Sequence, residues 1–465
     1  MEKIKKKFGF KDQMGYVFGD LAGSMVNLYI DMYILTFCTY VLGISAAWMA
    51  GLFLFAKLWD SINDPLIGSL PDRFKIGKSG DKFKPYIKIA MIPLALSVLM
   101  CFADISSWSM TMKHIWIAVG YLIYGMSYTG TSMPYGAMAS VITRDPIERT
   151  KLSRARSLGG TSVGVLFLPI VPMLIWNKDQ SANPQGFFIL AIIACVCSIV
   201  FYIILLTFTT ERYSVDTKYQ KKGDYKFFEV LKQSIKNRPL LGVMVASLGN
   251  CIASASMGAM SSFLYREYYH APRVMALTSL FGIPVLFVAF PLIPKLAKKF
   301  GKRKVIIASA FYNVIFSTCL FLFPISNVYV YMVLNTLANI GQTGFMMLIW
   351  AFITDCIDYQ EYKTNKRADG TLYSIYTFSK KIGTSLTHSG STYLLAAIGY
   401  VSGVATQQAS VGEGIRNMVT IMPAIAGVVE IIGMGLIFNL SKEKTEKIYA
   451  ELAQRRIDAE GDGEK

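Results

Sequence analysis

The sequence predicts an all-α membrane protein with twelve transmembrane helices, and two observations support this class. The chain has 465 residues and is 53% hydrophobic. Apolar stretches of roughly 20–28 residues recur along its whole length, and each is long enough to cross about 30 Å of hydrocarbon. The chain lacks the long polar linkers of a soluble multidomain protein and the alternating pattern of a membrane barrel.

Twelve spans follow one another along the chain. The first is too long for a cleavable signal and has polar residues in its centre, so it counts as a true span. The predicted spans are 14–42, 45–71, 86–104, 112–142, 157–176, 185–210, 239–268, 273–294, 304–324, 327–356, 371–400 and 413–440.

The distribution of basic residues predicts the orientation. The formal net charge is +17, and most of the 47 lysines and arginines lie in the termini and in the loops that follow even-numbered spans. This asymmetry is the positive-inside rule, so both termini are expected on the cytoplasmic side of the cell membrane. The basic excess therefore indicates orientation, and we expect no nucleic-acid partner.

The longest inner loop, residues 211–238, divides the chain into two halves. It separates an N-terminal six-helix bundle (1–210) from a C-terminal one (239–441), which a cytoplasmic tail (442–465) follows. An apolar stripe over 227–235 predicts a helix along the inner membrane surface. Basic phrases, "LPDRFKIGKSGDKFKP" and "PKLAKKFGKRK", follow spans two and eight. Such a weak repeat, with a site between the halves near the midplane, is the major-facilitator architecture.

Span two carries three charges on one face. Lys57, Asp60 and Asp64 fall within an arc of about 60° at helical spacing. A charge at the bilayer centre costs at least ~2.5–3.5 kcal/mol, so such residues usually have a function. Two carboxylates one turn apart repel each other, and they stay ionised only when a cation lies between them. A purely structural ion pair is the alternative interpretation.

The composition excludes most enzymes. Seven cysteines have neither metal-ligand nor disulfide spacing, and three scattered histidines cannot form a zinc site alone. No nucleotide-binding loop, serine-hydrolase elbow or metalloprotease motif is present. We therefore expect no enzyme activity and no cofactor, and an integral membrane enzyme is the least favoured interpretation.

Spans four and eleven are rich in aromatic and hydroxyl side chains. "YLIYGMSYTGTSMPYG" and "GTLYSIYTFSKKIGTSLTHSGS" contain Tyr128, Ser132, Tyr376, Thr377 and Lys381. A sugar site needs flat aromatic faces next to hydrogen-bonding groups. Tyrosines are also common at membrane interfaces, which is the alternative for each of them. Tyr128 fits this alternative least, because it lies in the middle of its span.

Three longer phrases resemble a known family. "WDSINDPLIGSLPDRFKIGKSGDKFKPYI", "YGAMASVITRDPIERTKL" and "TDCIDYQEYKTNKRADGTLYSIYTFSKKIG" are similar to the glycoside–pentoside–hexuronide:cation symporters, which include the melibiose carriers. The resemblance covers nearly the whole chain. It implies the major-facilitator fold and uptake of a sugar coupled to Na⁺ or H⁺.

The resemblance also assigns site residues. It places the cation site, whether for H⁺ or for Na⁺, on Asp60, Asn63, Asp64 and Thr129. The family's basic residues of spans five and eleven match Arg156 and Lys381. Lys57 is expected to balance the charge of span two and, with Lys381, to take part in coupling. The expected sugar-binding residues are Asp20, Ser24, Tyr128, Ser132, Arg156, Tyr376, Thr377 and Lys381.

Three departures narrow the expected substrate. The melibiose carriers have a span-one aspartate, a span-four aspartate and a span-four tryptophan where this chain has Ser24, Ser132 and Gly136. These smaller, uncharged residues argue against α-galactosides such as melibiose. A xyloside, a β-glycoside or a hexuronide is favoured instead, and the missing carboxylate favours H⁺ slightly over Na⁺.

Two further expectations concern the mechanism. A lysolipid or lipid transporter of the same fold is the alternative function, although the polar middle of the spans favours a sugar. Lys381 is expected to couple the halves, because an empty site at Asp60 and Asp64 would attract its ammonium group. The simpler alternative is that Lys381 only contacts sugar or neutralises Asp20.

Overall fold

The computed structural model describes residues 7–74, 76, 81–143, 145–212, 237–364, 369–404 and 406–463. The predicted surface helix at 227–235 lies outside this part of the chain. The boundaries of the two halves, the central loop and the tail, at 1–210, 239–441, 211–238 and 442–465, remain predictions.

The first half of the chain is helical. Serine side chains begin two of its helices: Ser45 accepts a hydrogen bond from the Trp48 amide, and Ser109 accepts one from the Met112 amide. Such caps satisfy amides that have no partner within the helix. The helices are α1 Phe10–Tyr40, α2 Ala46–Arg73, α3 Lys84–Cys101, α4 Met110–Ile142, α5 Pro146–Leu166, α6 Val171–Ile175 and α7 Pro184–Phe208.

The second half is helical as well. Its α-helices are α8 Arg238–Met257, α9 Ala259–Phe263, α10 Ala276–Phe300, α11 Lys302–Leu322, α12 Val328–Ala338, α13 Ile340–Thr364, α14 Asp369–Ala397, α15 Ala409–Ile431 and α16 Lys442–Gly463. A 3₁₀ turn covers Pro272–Met275, and π-helical segments cover Leu264–Tyr268 and Ile432–Ile437.

Each predicted span corresponds to a helix or to a pair of consecutive helices. Span five is divided between α5 and α6 by a turn at 167–170 that contains Pro169, a residue that cannot donate a helical hydrogen bond. Span seven is divided at Gly258 and span ten at Asn339. Hydropathy alone predicts continuous spans, because it does not register these local breaks.

Eight helical segments within the described residues are long and apolar enough to cross a membrane. Helices α2, α4 and α14 are not among them, since their charged, hydroxyl and glycine residues lower the mean hydropathy. Helix α10 is also not among them, and a shorter apolar helical stretch, Pro272–Val285, covers its beginning. The eight are Phe10–Tyr40, Lys84–Cys101, Lys151–Ile175, Pro184–Phe208, Arg238–Tyr268, Lys302–Leu322, Val328–Lys363 and Ala409–Ile437.

The chain packs into two compact units. Unit 1 contains Met1–Gly223 together with two segments of the second half, Tyr265–Leu280 and Thr392–Val411. Unit 2 contains Asp224–Leu264, Phe281–Ser391 and Gly412–Lys465. The two second-half segments of unit 1 include the loops that follow spans seven and eleven, which the charge pattern places on the outer side.

The C-terminal helix α16 is part of the core of unit 2. Ile448 and Leu452 are buried there with the apolar residues of α13. Asp355 of α13 accepts hydrogen bonds from the Lys302 ammonium, 2.6 Å from Oδ1, and from the Tyr449 hydroxyl. Burial and this hydrogen bond to Asp355 raise the pKa of Tyr449. Asp355 therefore joins α13 to α11 and to α16.

Candidate functional site

The predicted cation site lies where α2 faces α4. The Thr129 hydroxyl donates a hydrogen bond to Asp64 Oδ1 over 2.7 Å. Lys57 Nζ lies 3.8 Å from Asp60 Oδ2, one turn further back along α2. The Lys57 side chain is 37% exposed, so this pair contributes little to stability. The structure thus brings Asp64 and Thr129 together, as predicted, and it places a positive charge next to Asp60.

The absence of a side chain at Gly125 leaves the space on α4 that the Asp60 carboxylate occupies. A Cβ atom at Gly125 would lie 3.0 Å from Asp60 Oδ1. Because Gly125 and Thr129 are four residues apart, they lie on the same face of α4. Asp60 and Asp64 are also four apart, so both carboxylates of α2 face one side of α4. Sequence reasoning missed Gly125, since a residue without a side chain carries no chemical signal.

Asn63 lies between the two aspartates in sequence and is 6% exposed. Its Nδ2 atom is buried without a hydrogen-bond partner in the described chain. Leaving a buried polar group without a partner costs about 1–3 kcal/mol, and a bound water that accepts a hydrogen bond commonly explains an unpartnered amide donor. Oxygen atoms of Asp60, Asn63, Asp64 and Thr129 are the ligand type that suits Na⁺, and paired carboxylates also suit H⁺.

A second charged pair joins α1 to α5. Arg156 Nε lies 3.2 Å from Asp20 Oδ1, and the Ser24 hydroxyl donates to Asp20 Oδ2 over 3.3 Å. The Arg156 side chain is 50% exposed and that of Asp20 is 16% exposed. Three predicted sugar-binding residues therefore form one cluster whose donors and acceptors remain partly accessible.

Two glycines allow α5 to approach α1 at this pair. A Cβ atom at Gly159 would lie 2.5 Å from the Val17 carbonyl oxygen. One at Gly160 would lie 2.9 Å from Asp20 Oδ2 and 3.5 Å from Ser24 Oγ. Any larger side chain in the "LGG" phrase would push the helices apart, so these glycines set the distance between Asp20 and α5.

Aromatic residues of α1 and α4 support Arg156. Its guanidinium carbon lies 5.3 Å from the centre of the Tyr135 ring. The Tyr135 hydroxyl donates to the Tyr16 carbonyl over 2.7 Å, and the Tyr16 hydroxyl donates to the Tyr135 carbonyl over 2.9 Å. These reciprocal bonds fix both rings. Gly136 is also close, because its Cβ atom would lie 3.7 Å from an Arg156 terminal nitrogen. Gly136 therefore leaves space next to Arg156, at the position where the resemblance to the melibiose carriers implies a tryptophan.

A chain of side-chain contacts leads from Tyr128 on α4 to Asp31 on α1, by way of Tyr124 and Asn27. The Tyr128 and Tyr124 rings stack with centres 6.0 Å apart. The Tyr124 hydroxyl donates to Asn27 Oδ1 over 2.9 Å, and Asn27 Nδ2 donates to Asp31 Oδ2 over 2.8 Å. Sequence reasoning missed Asn27, although an amide in the middle of a transmembrane helix was an available signal. Ser132 follows Tyr128 by one turn on α4 and is half-buried.

The remaining predicted residues lie on α14 in unit 2. Tyr376 is 2% exposed, and its hydroxyl accepts a hydrogen bond from Ser247 over 3.5 Å. Thr377 is half-buried and Lys381 is exposed. The Ser385 hydroxyl, one turn later on α14, donates to the Lys381 backbone carbonyl over 2.8 Å. The predicted pairing of Lys381 with first-half carboxylates remains a prediction.

Unit 2 also contains a buried acid that sequence reasoning missed. Glu430 of α15 is 1% exposed and accepts a hydrogen bond from Gln342 Nε2 over 3.0 Å. Gln342 Oε1 accepts from Asn313 Nδ2 over 3.2 Å, and Asn313 Oδ1 accepts from Ser317 over 3.0 Å. This chain of amides joins α11, α13 and α15. An acid within the apolar part of span twelve was the available signal.

Comparison with known proteins gives a whole-chain match. A family model described as "MFS/sugar transport protein" matches residues 15–442. The chain is 31% identical over 459 residues to the uncharacterised symporter YjmB of Bacillus subtilis (strain 168), covering 97% of each chain. It is 28% identical over 454 residues to a candidate 2,3-dihydroxypropane-1-sulfonate exporter of Escherichia coli (strain K12), covering 96% of each. It is 24% identical over 460 residues to a glucuronide carrier protein homologue of the same organism, covering 97% of each.

Solved structures share the fold. A mutant form of the nucleoside transporter NupG matches with a TM-score of 0.66 at 11% identity, over 92% of this chain and all of that one. The xylose transporter XylE from E. coli, in an inward open conformation, matches with a TM-score of 0.63 at 13% identity, over 94% of this chain and 98% of that one. At these identities the likeness concerns the fold alone.

Proposed function

The chain belongs to the MFS/sugar transport protein family, and from this premise we propose that it takes up a glycoside together with H⁺ or Na⁺ by alternating access. It is a multi-pass membrane transporter and not an enzyme. The observation that carries the proposal is the pair of span-two carboxylates facing α4, with Thr129 bonded to Asp64 over 2.7 Å. Both termini are proposed to lie on the cytoplasmic side of the cell membrane.

The carboxylate pair provides the coupling chemistry. Asp60 and Asp64 lie one turn apart, so their negative charges repel each other unless a cation or a proton reduces the repulsion. The Lys57 ammonium lies next to Asp60 and balances part of this negative charge. Thr129 offers a hydroxyl oxygen, and the buried Asn63 offers an amide. Binding of the ion would therefore change the net charge of this face, which is what coupling requires.

The Asp20–Arg156 pair provides the sugar site. Asp20 accepts hydrogen bonds from sugar hydroxyls, while Arg156 donates them and attracts an anionic group such as a uronate. The Tyr128 ring offers a flat apolar face. Ser24, Asp20 and Arg156 already form one cluster, and Gly136 leaves room next to Arg156. A xyloside, a β-glycoside or a hexuronide fits these residues better than melibiose does.

The relatives' names support an anionic substrate. One relative is named for a glucuronide and another for a sulfonate. Because the latter is named as an exporter, the direction of transport is also a proposal. Lys381, Tyr376 and Thr377 of α14 are proposed to complete the sugar site, and Lys381 to couple it to the ion.

Uptake into proteoliposomes tests the proposal. Radiolabelled xyloside, β-glucoside and glucuronide would be offered under a Na⁺ gradient, a proton gradient or no gradient. We expect one glycoside to accumulate under at least one gradient, and Asp64→Asn to abolish accumulation while the protein remains monodisperse. Asp104→Asn, in a loop between α3 and α4, is the matched control. Transbilayer movement of lysolipid without glycoside accumulation would instead support the lipid-transporter alternative.

A further inference from the structure

A cavity of about 640 Å³, called the basic cavity below, lies within unit 2. The end of α10, the start of α11, the middle of α13 and the start of α16 surround it. The charge pattern of the sequence places this end of the spans on the inner side. More of its charged lining residues are basic than acidic. The basic ones are Lys298, Lys302, Arg303, Lys304 and Lys442, and the acidic ones are Asp355, Glu443 and Glu446.

Two of the basic residues are engaged with unit 2 itself. Lys302 pairs with Asp355, with its Nζ atom 2.6 Å from Oδ1. Arg303 Nε donates to the Met434 carbonyl over 2.9 Å, and its NH2 group donates to the Gly435 carbonyl over 2.6 Å. These two side chains hold helices together, so an anion that entered the cavity would depend mainly on the three lysines that remain.

Those three residues, Lys298, Lys304 and Lys442, are exposed and are brought together by a sharp turn. The turn lies at Gly301, whose φ of 89° is a left-handed conformation that favours glycine. A Cβ atom at Gly301 would lie 3.2 Å from the Lys442 Cβ, so α16 begins directly against this turn. Lys442 Nζ also donates to the Lys298 carbonyl over 3.3 Å. Positive charges collected in one concave site attract an anion to it.

The deeper wall of the basic cavity is apolar. Phe352, Phe438 and Leu440 line it, and each is at most 2% exposed. The Phe352 and Phe438 rings meet edge to face with their centres 5.2 Å apart. Apolar surface is stabilised when it is covered by apolar groups and not by water. A ligand that suits both parts of the lining therefore combines a negative group with apolar surface.

An apolar groove of about 490 Å³ adjoins the basic cavity, since Phe300 and Lys304 line both. The groove runs between α10 and α11. On α10 its lining extends from Val285 to Phe300, which is roughly 22 Å at 1.5 Å per residue. Val288 and Leu292 in this lining are 61% and 46% exposed. The hydrocarbon of one leaflet is about 15 Å thick, half of the bilayer core, so the groove is long enough for an acyl chain.

We propose that unit 2 binds one anionic phospholipid, with its phosphate among Lys298, Lys304 and Lys442 and an acyl chain in the groove between α10 and α11. The basic cavity and the groove meet at Lys304, just as the headgroup and the chains of a phospholipid meet. Basic pockets between helices on the inner side are typical sites for such headgroups. The residues of the proposed ion and sugar sites take no part, so this inference does not depend on the proposed transport function.

Native mass spectrometry of the detergent-purified protein tests the site without sugar or an ion gradient. The probe is phosphatidylglycerol, and zwitterionic phosphatidylcholine is the comparison. We expect phosphatidylglycerol to bind at least tenfold more tightly. Lys304→Gln should weaken its binding about fivefold, the effect of one basic residue near an anionic lipid. Lys447→Gln, an exposed lysine of α16 that lines neither the cavity nor the groove, is the matched control and should bind like the wild type.

Glu443→Gln keeps the test decisive if Lys304→Gln does not fold, because it changes the charge of the site in the opposite direction. Glu443 is exposed and lines the basic cavity. Its neutralisation should therefore strengthen phosphatidylglycerol binding by a similar factor. Equal affinities for the two lipids, or equal affinities of Lys304→Gln, Glu443→Gln and Lys447→Gln for phosphatidylglycerol, would overturn the proposal.

A photoreactive acyl chain separates a lipid from a free anion. Phosphatidylglycerol that carries such a chain should label α10 and α11 along the groove, and excess inorganic phosphate should leave this labelling in place. Displacement by inorganic phosphate, together with no label on these two helices, would assign the basic cavity to a free anion and overturn the lipid assignment. Because no sugar is present, each outcome is independent of whether glycoside uptake is observed.

Discussion

Gly125→Ala tests whether the position of Asp60 sets cation affinity. The new Cβ atom would lie 3.0 Å from Asp60 Oδ1, which is tighter than nine in ten real Cβ contacts. The carboxylate must therefore move by a few tenths of an ångström, a shift that approaches the ~0.5 Å within which a working site holds its groups. Overpacking of this kind costs about 1–3 kcal/mol. We expect cation affinity to fall at least tenfold, since about 1.4 kcal/mol corresponds to a factor of ten.

Gly130→Ala is a closely matched control on the same helix. Its Cβ atom would also meet a neighbour at 3.0 Å, but that neighbour is the Ala90 methyl group of α3. Both substitutions raise helix propensity by about 1 kcal/mol, so this contribution cancels in the comparison. Gly51→Ala, where no atom lies within 4 Å of the new Cβ, reports propensity alone.

The assay is the cation dependence of sugar binding by the purified protein. Isothermal titration of the glycoside at increasing Na⁺ concentration, and separately at decreasing pH, gives the apparent cation affinity of each variant. The reasoning is refuted if Gly125→Ala and Gly130→Ala shift that affinity equally, because the effect would then come from packing of α4 and not from Asp60.

Three further predictions concern the other site residues. Thr129→Val removes a hydrogen bond to a carboxylate, worth about 1.5–3 kcal/mol, so cation affinity should fall tenfold or more in the same titration. Thr131→Val, whose hydroxyl bonds the Tyr128 carbonyl of its own helix and the Tyr202 side chain, should leave that affinity unchanged, and equal losses would contradict the assignment. Arg156→Ala should weaken glycoside binding at least tenfold by removing the cationic partner of Asp20, whereas wild-type binding would exclude this cluster from the sugar site. Lys381→Ala should make glycoside affinity independent of cation concentration, and a wild-type dependence would reduce Lys381 to a ligand or counter-charge.

The all-α membrane class and the shared face of Asp60 and Asp64 could be predicted from the sequence. Hydropathy reports which stretches can cross hydrocarbon, and helical periodicity alone places residues 60 and 64 together. Both properties are local, so no tertiary information is needed. The whole-chain family match confirms the resemblance on which Thr129 was assigned, and the hydrogen bond from Thr129 to Asp64 agrees with it.

Contacts between helices could not be predicted, because they depend on how backbones approach each other. Gly125 and Gly159 matter only through what a side chain would strike, and the sequence records glycine identically wherever it occurs. Asn27 lies 97 positions from its partner Tyr124. The breaks at Gly258 and Asn339 likewise escape a hydropathy pattern that averages over many residues.

The sequence by itself therefore determined the class of protein, its spans and the charged face of α2, since each follows from transfer free energies and helical geometry along one segment. Only the tertiary structure decided which helices meet at those charges. Arg266 illustrates the difference. In the sequence it is one arginine of a short loop, but the fold places it 3.9 Å from the centre of the Tyr40 ring. Burial against that ring is a property of Arg266 that no local pattern could predict.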